Sequence, residues 1–141
     1  QVERIGGVTV IKDAYNASPP SMWAALELLN TWPTAGRRVL LCGDMNELGS
    51  TGPAFHQRLG VQIASSMVDF CVAVGPLSAA VVASARESGM SADAIVHCEF
   101  IEPAVMTLRP WLRDGDVVLV KASRAMQLEQ AVVWLRERLA A

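Results

Sequence analysis

The chain has 141 residues, of which 52% are hydrophobic and 18% charged, with a net charge of −2. That composition suits one globular domain with a proper core, and excludes a disordered segment or a basic nucleic-acid-binding surface. No apolar run approaches the ~20 residues needed to cross a bilayer, and no secretory leader is visible, so no membrane insertion and no nucleic-acid partner are expected. Cys42, Cys71 and Cys98 lie in or beside apolar runs and none is in C-x-x-C spacing. They read as buried thiols in a reducing compartment, not as metal ligands.

The chain opens at Gln1 and enters a strand almost at once, which suggests a domain taken from a longer protein. Val2 to Ile5, Gly6-Gly7 and Val8 to Ile11 read as a β-hairpin. Ser18-Pro19 is a helix start, with Met22, Leu26 and Leu29 at helical spacing and a stop near Trp32, before Pro33. Val39 to Gly43 is a continuous apolar run typical of a strand buried on both faces. The polar loop Gly43 to Gly49 follows, then a helix marked by Phe55, Leu59, Ile63 and Met67. The pattern repeats with a strand at Phe70 to Val74, a helix at Leu77 to Glu87, a short strand at Ile95-Val96, and a helix carrying Val105, Leu108 and Leu112 inward. Asp116 opens a strand running through Val120, and Leu128, Val132, Leu135 and Leu139 line a last helix. Alternating strands and helices with short loops imply an α/β, Rossmann-like, doubly wound domain. Its sheet should have about six strands, mostly parallel, with one antiparallel N-terminal hairpin strand.

In such sheets ligands bind outside the carboxyl ends of the strands. Those ends supply Asp13, Tyr15 and Asn16; Asp44, Asn46 and Glu47; Gly75; His97 and Glu99; and Lys121, Ser123 and Arg124. Asp13 reads as a turn cap or as a carboxylate accepting from ribose hydroxyls. Tyr15 reads as core filling or as a flat surface for a base. Asn16 and Ser18 are turn and cap residues by default. Lys121 stands out because lysine occurs elsewhere only at Lys12, and because it follows a buried strand where an ammonium needs solvent or an anion. His56 and His97 read as structural or exposed. The chain has no G-x-x-x-x-G-K-[ST] and no G-x-G-x-x-G after a strand, so it lacks a phosphate cradle of either common kind and is not expected to complete a reaction alone.

Three ordered stretches carry a resemblance: Asp13-Ala14-Tyr15-Asn16-Ala17-Ser18-Pro19-x-Ser21-Met22; Gly43-Asp44-Met45-x-Glu47-Leu48-Gly49 with His56 seven residues beyond; and Lys121-x-Ser123-Arg124-x-Met126-x-x-Glu129. Together they resemble the C-terminal domain of the Mur ligases. The resemblance implies residues 1–141 as one domain of a three-domain cytoplasmic enzyme of peptidoglycan synthesis, inactive without its N-terminal and central domains. The central domain would carry the phosphate loop and most of the Mg²⁺ ligands. ATP would activate the carboxylate of a UDP-MurNAc-tripeptide, and D-Ala-D-Ala would supply the attacking amine. Carried over by position, Asp13, Tyr15 and Asn16 would contact ATP. Ser18, Asp44, Asn46, Glu47, Lys121, Ser123 and Arg124 would face substrate, with no catalytic or metal-binding residue assigned in this domain. Asp13→Ala would then raise the KM for ATP with little loss of stability. Ala122, where the family usually has Gly, and Ser18, where Asn is commoner, are departures at the expected dipeptide contacts. Three alternatives stay open at this point: a related ligase with another incoming amine (another Mur ligase or a folylpolyglutamate-synthase-like enzyme), a phospho-receiver module, and a stand-alone binding domain.

Overall fold

A computed structural model describes residues 1–13, 18–121 and 129–139. Its strands are β1 (Val2–Ile5), β2 (Val8–Asp13), β3 (Arg38–Gly43), β4 (Phe70–Val74), β5 (Ile95–Cys98) and β6 (Val117–Lys121). Its helices are α1 (Pro19–Thr31), α2 (Gly52–Ala64), α3 (Ser78–Glu87), α4 (Ile101–Leu108) and α5 (Glu129–Leu139). The strands form one sheet in the order β1-β2-β6-β3-β4-β5, antiparallel between β1 and β2 and parallel elsewhere. The expected fold class is therefore the observed one.

Strands β3, β4 and β6 are buried along nearly their whole length, which is why they read as unbroken apolar runs instead of alternating ones. Side chains alternate between two cores. Leu40, Cys42, Cys71, Val117 and Leu119 meet Met22, Leu29, Leu59, Ile63 and Val81 of α1, α2 and α3. Val39, Leu41, Val72, Val118 and Val120 meet Val105 and Leu108 of α4 and Val132 and Leu135 of α5. Helices α1 to α3 thus cover one face and α4 and α5 the other.

Two expected helices are shorter than their apolar spacing suggested. Met67 lies beyond the end of α2 and is 59% exposed. The helix is closed before it, where the Ser66 hydroxyl donates to the Ile63 carbonyl at 2.6 Å and accepts from Val68 N–H at 3.1 Å. Leu112 lies beyond α4 in a following turn, although it still packs against the second core. Helices α2 and α3 cross closely at Gly60. A Cβ there would meet the Val81 carbonyl and lie 2.8 Å from Ser84 Cβ and 2.9 Å from Ala85 N. Gly60→Ala is therefore expected to cost about 1–2 kcal/mol through overpacking, read as a lowered urea midpoint. An unchanged midpoint would mean that the two helices separate freely.

Candidate functional site

Strand β6 lies between β2 and β3, yet the helix that follows it, α5, packs on the face opposite α1 and α2, which follow its neighbours. The helix that follows each strand therefore changes face at β6, and the carboxyl ends of β2, β6 and β3 border the kind of crevice in which open parallel sheets hold ligands.

Two expected site residues meet there. The register pairs Asp13 with Lys121 across β2 and β6, and the period of two places both side chains on the α1 face, with Ile11 and Leu119. Lys121 Nζ donates to Asp13 Oδ1 at 2.9 Å; the Lys121 side chain is 4% exposed and that of Asp13 37%. The ammonium thus finds the anionic partner that its burial requires. This changes one expectation. Removing the Asp13 carboxylate also strips the partner from a buried cation, so loss of stability accompanies any effect on ligand.

Ser18 is the N-cap of α1, in extended conformation. Its Oγ accepts from Ser21 N–H at 3.4 Å while Ser21 Oγ accepts from Ser18 N–H at 2.9 Å, a reciprocal capping box. Tyr15, Asn16, Ser123 and Arg124, and with them Ala122, lie outside the described residues.

The loop after β3 is where the structure departs most from expectation. Asp44, expected to face the cleft as a substrate ligand, is 3% exposed and turned inward. Its Oδ2 accepts from Leu77 N–H at 3.1 Å and its Oδ1 from the Ser78 hydroxyl at 2.7 Å. The physical reason lies at the start of α3. Leu77 occupies the N-cap and has no side chain to cap with, and the first turn contains no acidic residue. Asp44 therefore supplies from another element the carboxylate that these unpaired N–H groups and the helix dipole favour. Gly75 makes room for it: at φ +114 it is in a conformation that favours glycine, and a Cβ would lie 2.6 Å from the Asp44 carboxylate. Asn46 is half-buried and Glu47 exposed. Glu47 has φ 63, the one non-glycine residue at positive φ among the described residues.

Both histidines bond to main-chain groups. His56 is fully buried and bonded to backbone at Met45 and Gly52. His97 lies within β5, its Nε2 2.6 Å from the Gly75 carbonyl. The Asp44–Ser78 and His56–Met45 contacts escaped the sequence reading, because neither pairing leaves a short-range pattern. Cys42 and Cys71 are free, buried thiols. Cys42 beside Cys71, at 4.0 Å between sulfurs, and burial together push the Cys71 thiol well above its ordinary value, so it carries no reactive thiolate.

A family model described as "Mur ligase, glutamate ligase domain" matches residues 1–124. The chain is 43% identical over 140 residues to the UDP-N-acetylmuramoyl-tripeptide–D-alanyl-D-alanine ligase of Mycobacterium tuberculosis, covering 86% of this chain and 27% of that protein. It is 35% identical over 126 residues to the Bacillus subtilis ligase of the same name, covering 89% of this chain and again 27% of the relative. The chain thus spans only about a quarter of the length of these relatives. Among solved structures, a MurF ligase from Thermotoga maritima in complex with ADP superposes with a TM-score of 0.81 at 27% identity, covering 99% of this chain and 30% of that one. MurF from Acinetobacter baumannii gives 0.87 at 26% identity, covering 97% and 30%.

Proposed function

The chain belongs to the Mur ligase, glutamate ligase domain family, and from that premise we propose that it is one domain of a longer ATP-dependent amide ligase joining D-Ala-D-Ala to a UDP-MurNAc-tripeptide. Membership removes the phospho-receiver alternative. The observation that carries the reading is the 43% identity to a ligase of that specificity over nearly the whole chain. The rim at β2, β6 and β3 is physically suited to the role. Asp13 offers a half-exposed carboxylate, an acceptor only, at the edge where a nucleotide's ribose hydroxyls could donate to it. Lys121 holds that carboxylate in place from the neighbouring strand.

In this reading Tyr15 and Asn16 complete the nucleotide contact, and Ser18, Asn46, Glu47, Ser123 and Arg124 face the substrates. Asp44 acts through the fold instead of touching ligand. The activating chemistry belongs to ATP. The domain positions the amine and excludes water as it closes on the other two domains of the enzyme. Mg²⁺ is assigned mainly to the central domain, as the family resemblance implies. No helix among the described residues is long and apolar enough to cross a membrane, and the ATP- and UDP-linked substrates argue for a cytoplasmic enzyme.

The test is turnover by the full-length enzyme with ATP and UDP-MurNAc-tripeptide, supplying D-Ala-D-Ala or single amino acids as the amine. ADP release that depends on D-Ala-D-Ala is expected. Equal or faster turnover with a single amino acid would assign the chain to a different ligase.

A further inference from the structure

Backbone of the loop after β3 is pinned by a side chain that the proposed reaction does not otherwise use. His56, on α2, is fully buried. Its Nε2 lies 3.0 Å from Met45 N, and its Nδ1 2.7 Å from the Gly52 carbonyl oxygen. A carbonyl can only accept and an amide N–H only donate, so Nδ1 carries the proton and Nε2 is the acceptor. Both partners are main chain, and the ring therefore serves as a fixed brace in one tautomer. The turn is held at further points as well. Met45 is fully buried, Asp44 is bonded to α3, Leu48 packs against the first core, and the Leu48 carbonyl accepts from Thr51 N–H and from its hydroxyl. Between these anchors sits Glu47, exposed and at φ 63. A side chain in that conformation costs free energy and persists where its surroundings hold it. The turn leaves β3 one residue after Cys42-Gly43, and Cys42 is in register with Lys121, so it borders the same crevice as the Asp13–Lys121 pair.

We propose that His56 is a positioning residue for the incoming amine: by fixing Met45 N–H it holds the turn that presents the Glu47 carboxylate at the rim, where the carboxylate receives the ammonium group of the dipeptide. The inference rests on the ligase reading above and adds to it a residue that touches no substrate. A carboxylate suits an ammonium because the pair forms charge-assisted hydrogen bonds, and a misplacement of about 1 Å is enough to lose most of that recognition.

In the full-length enzyme, His56→Leu is expected to raise the KM for D-Ala-D-Ala by about tenfold while the KM for ATP stays within about twofold. His56→Gln, whose amide can both accept from Met45 N–H and donate to the Gly52 carbonyl, should restore most of the loss. Glu47→Gln should raise the same KM without disturbing the loop. Hydrogen exchange of the peptide containing Met45 should quicken in His56→Leu, recover in His56→Gln and be unaltered in Glu47→Gln. A structural role alone would lower thermal stability and active fraction without separating the two KM values. Equal changes in both KM values, or no change in either, would overturn the positioning role, as would an unaltered KM in Glu47→Gln if His56→Leu fails to fold. A wild-type enzyme that ignores D-Ala-D-Ala overturns the ligase reading itself, and the amine with it.

Discussion

Asp116→Ala is expected to lower the stability of the fold by about 3 kcal/mol, at the lower end of the range for breaking a buried ion pair. Asp116 is 2% exposed, at the amino end of β6 and so at the opposite end of that strand from Lys121. Its Oδ1 accepts from Arg37 N at 3.0 Å and Nε at 3.2 Å, and its Oδ2 from Arg37 Nη2 at 2.7 Å and Arg113 N at 2.8 Å. The guanidinium also donates to the Trp111 carbonyl and lies 3.6 Å over the Trp111 ring, which stacks on Phe70 at 4.6 Å. One carboxylate thus ties together the entry to β3, the turn after α4 and the start of β6. Arg37 keeps 28% of its side chain exposed, so its charge finds some water after the substitution, which argues for the lower figure. Burial alone would raise the Asp116 carboxyl, but the Arg37 and Arg113 bonds outweigh it and hold the carboxyl below the ordinary range. A carboxyl lowered in the folded state adds stability above its unfolded value of about 3.9 and loses it as pH falls below that. Urea unfolding at neutral pH checks the magnitude. A pH series should show part of the wild-type stability disappearing below about pH 4, with that part absent in Asp116→Asn. A midpoint unchanged in Asp116→Ala would show that the cluster contributes nothing net.

Asp13→Ala should produce two separable effects. Lys121, 4% exposed, loses the carboxylate that faces it. Because Asp13 itself is 37% exposed, the cost should fall between that of a surface pair and a buried one, about 2 kcal/mol. Asp13→Ala combined with Lys121→Met should recover part of it, since the double variant leaves no unpaired buried charge. In the full-length enzyme, the KM for ATP should rise by about tenfold, the loss of one hydrogen bond to a charged group. The second variant pair separates the two effects, because the restored fold would still lack the ribose acceptor. Unaltered ATP kinetics in Asp13→Ala would end the ribose assignment, and an undiminished stability would make the ion pair a surface ornament of the rim.

Much of this molecule was written locally in the chain. Unbroken apolar runs at 39–43, 70–74 and 117–120 announced strands covered on both faces, and Ser18-Pro19 announced the start of α1 through a cap that involves only residues 18 to 21. These features depend on neighbours within one turn or one pleat, so spacing alone reveals them. The segments 13–18, 44–49 and 121–124 stand out because they follow or close strands read in the same way. What only the tertiary structure decided is which groups meet. Asp13 finds Lys121, 108 positions away, because β6 inserts between β2 and β3. Asp44 turns in to cap α3, 34 positions away, and not out to the cleft, because Leu77 leaves that helix start without a cap of its own. Strand order and helix ends competing for a carboxylate are set by burial of the whole sheet on both faces, and no local spacing in the chain carries that information.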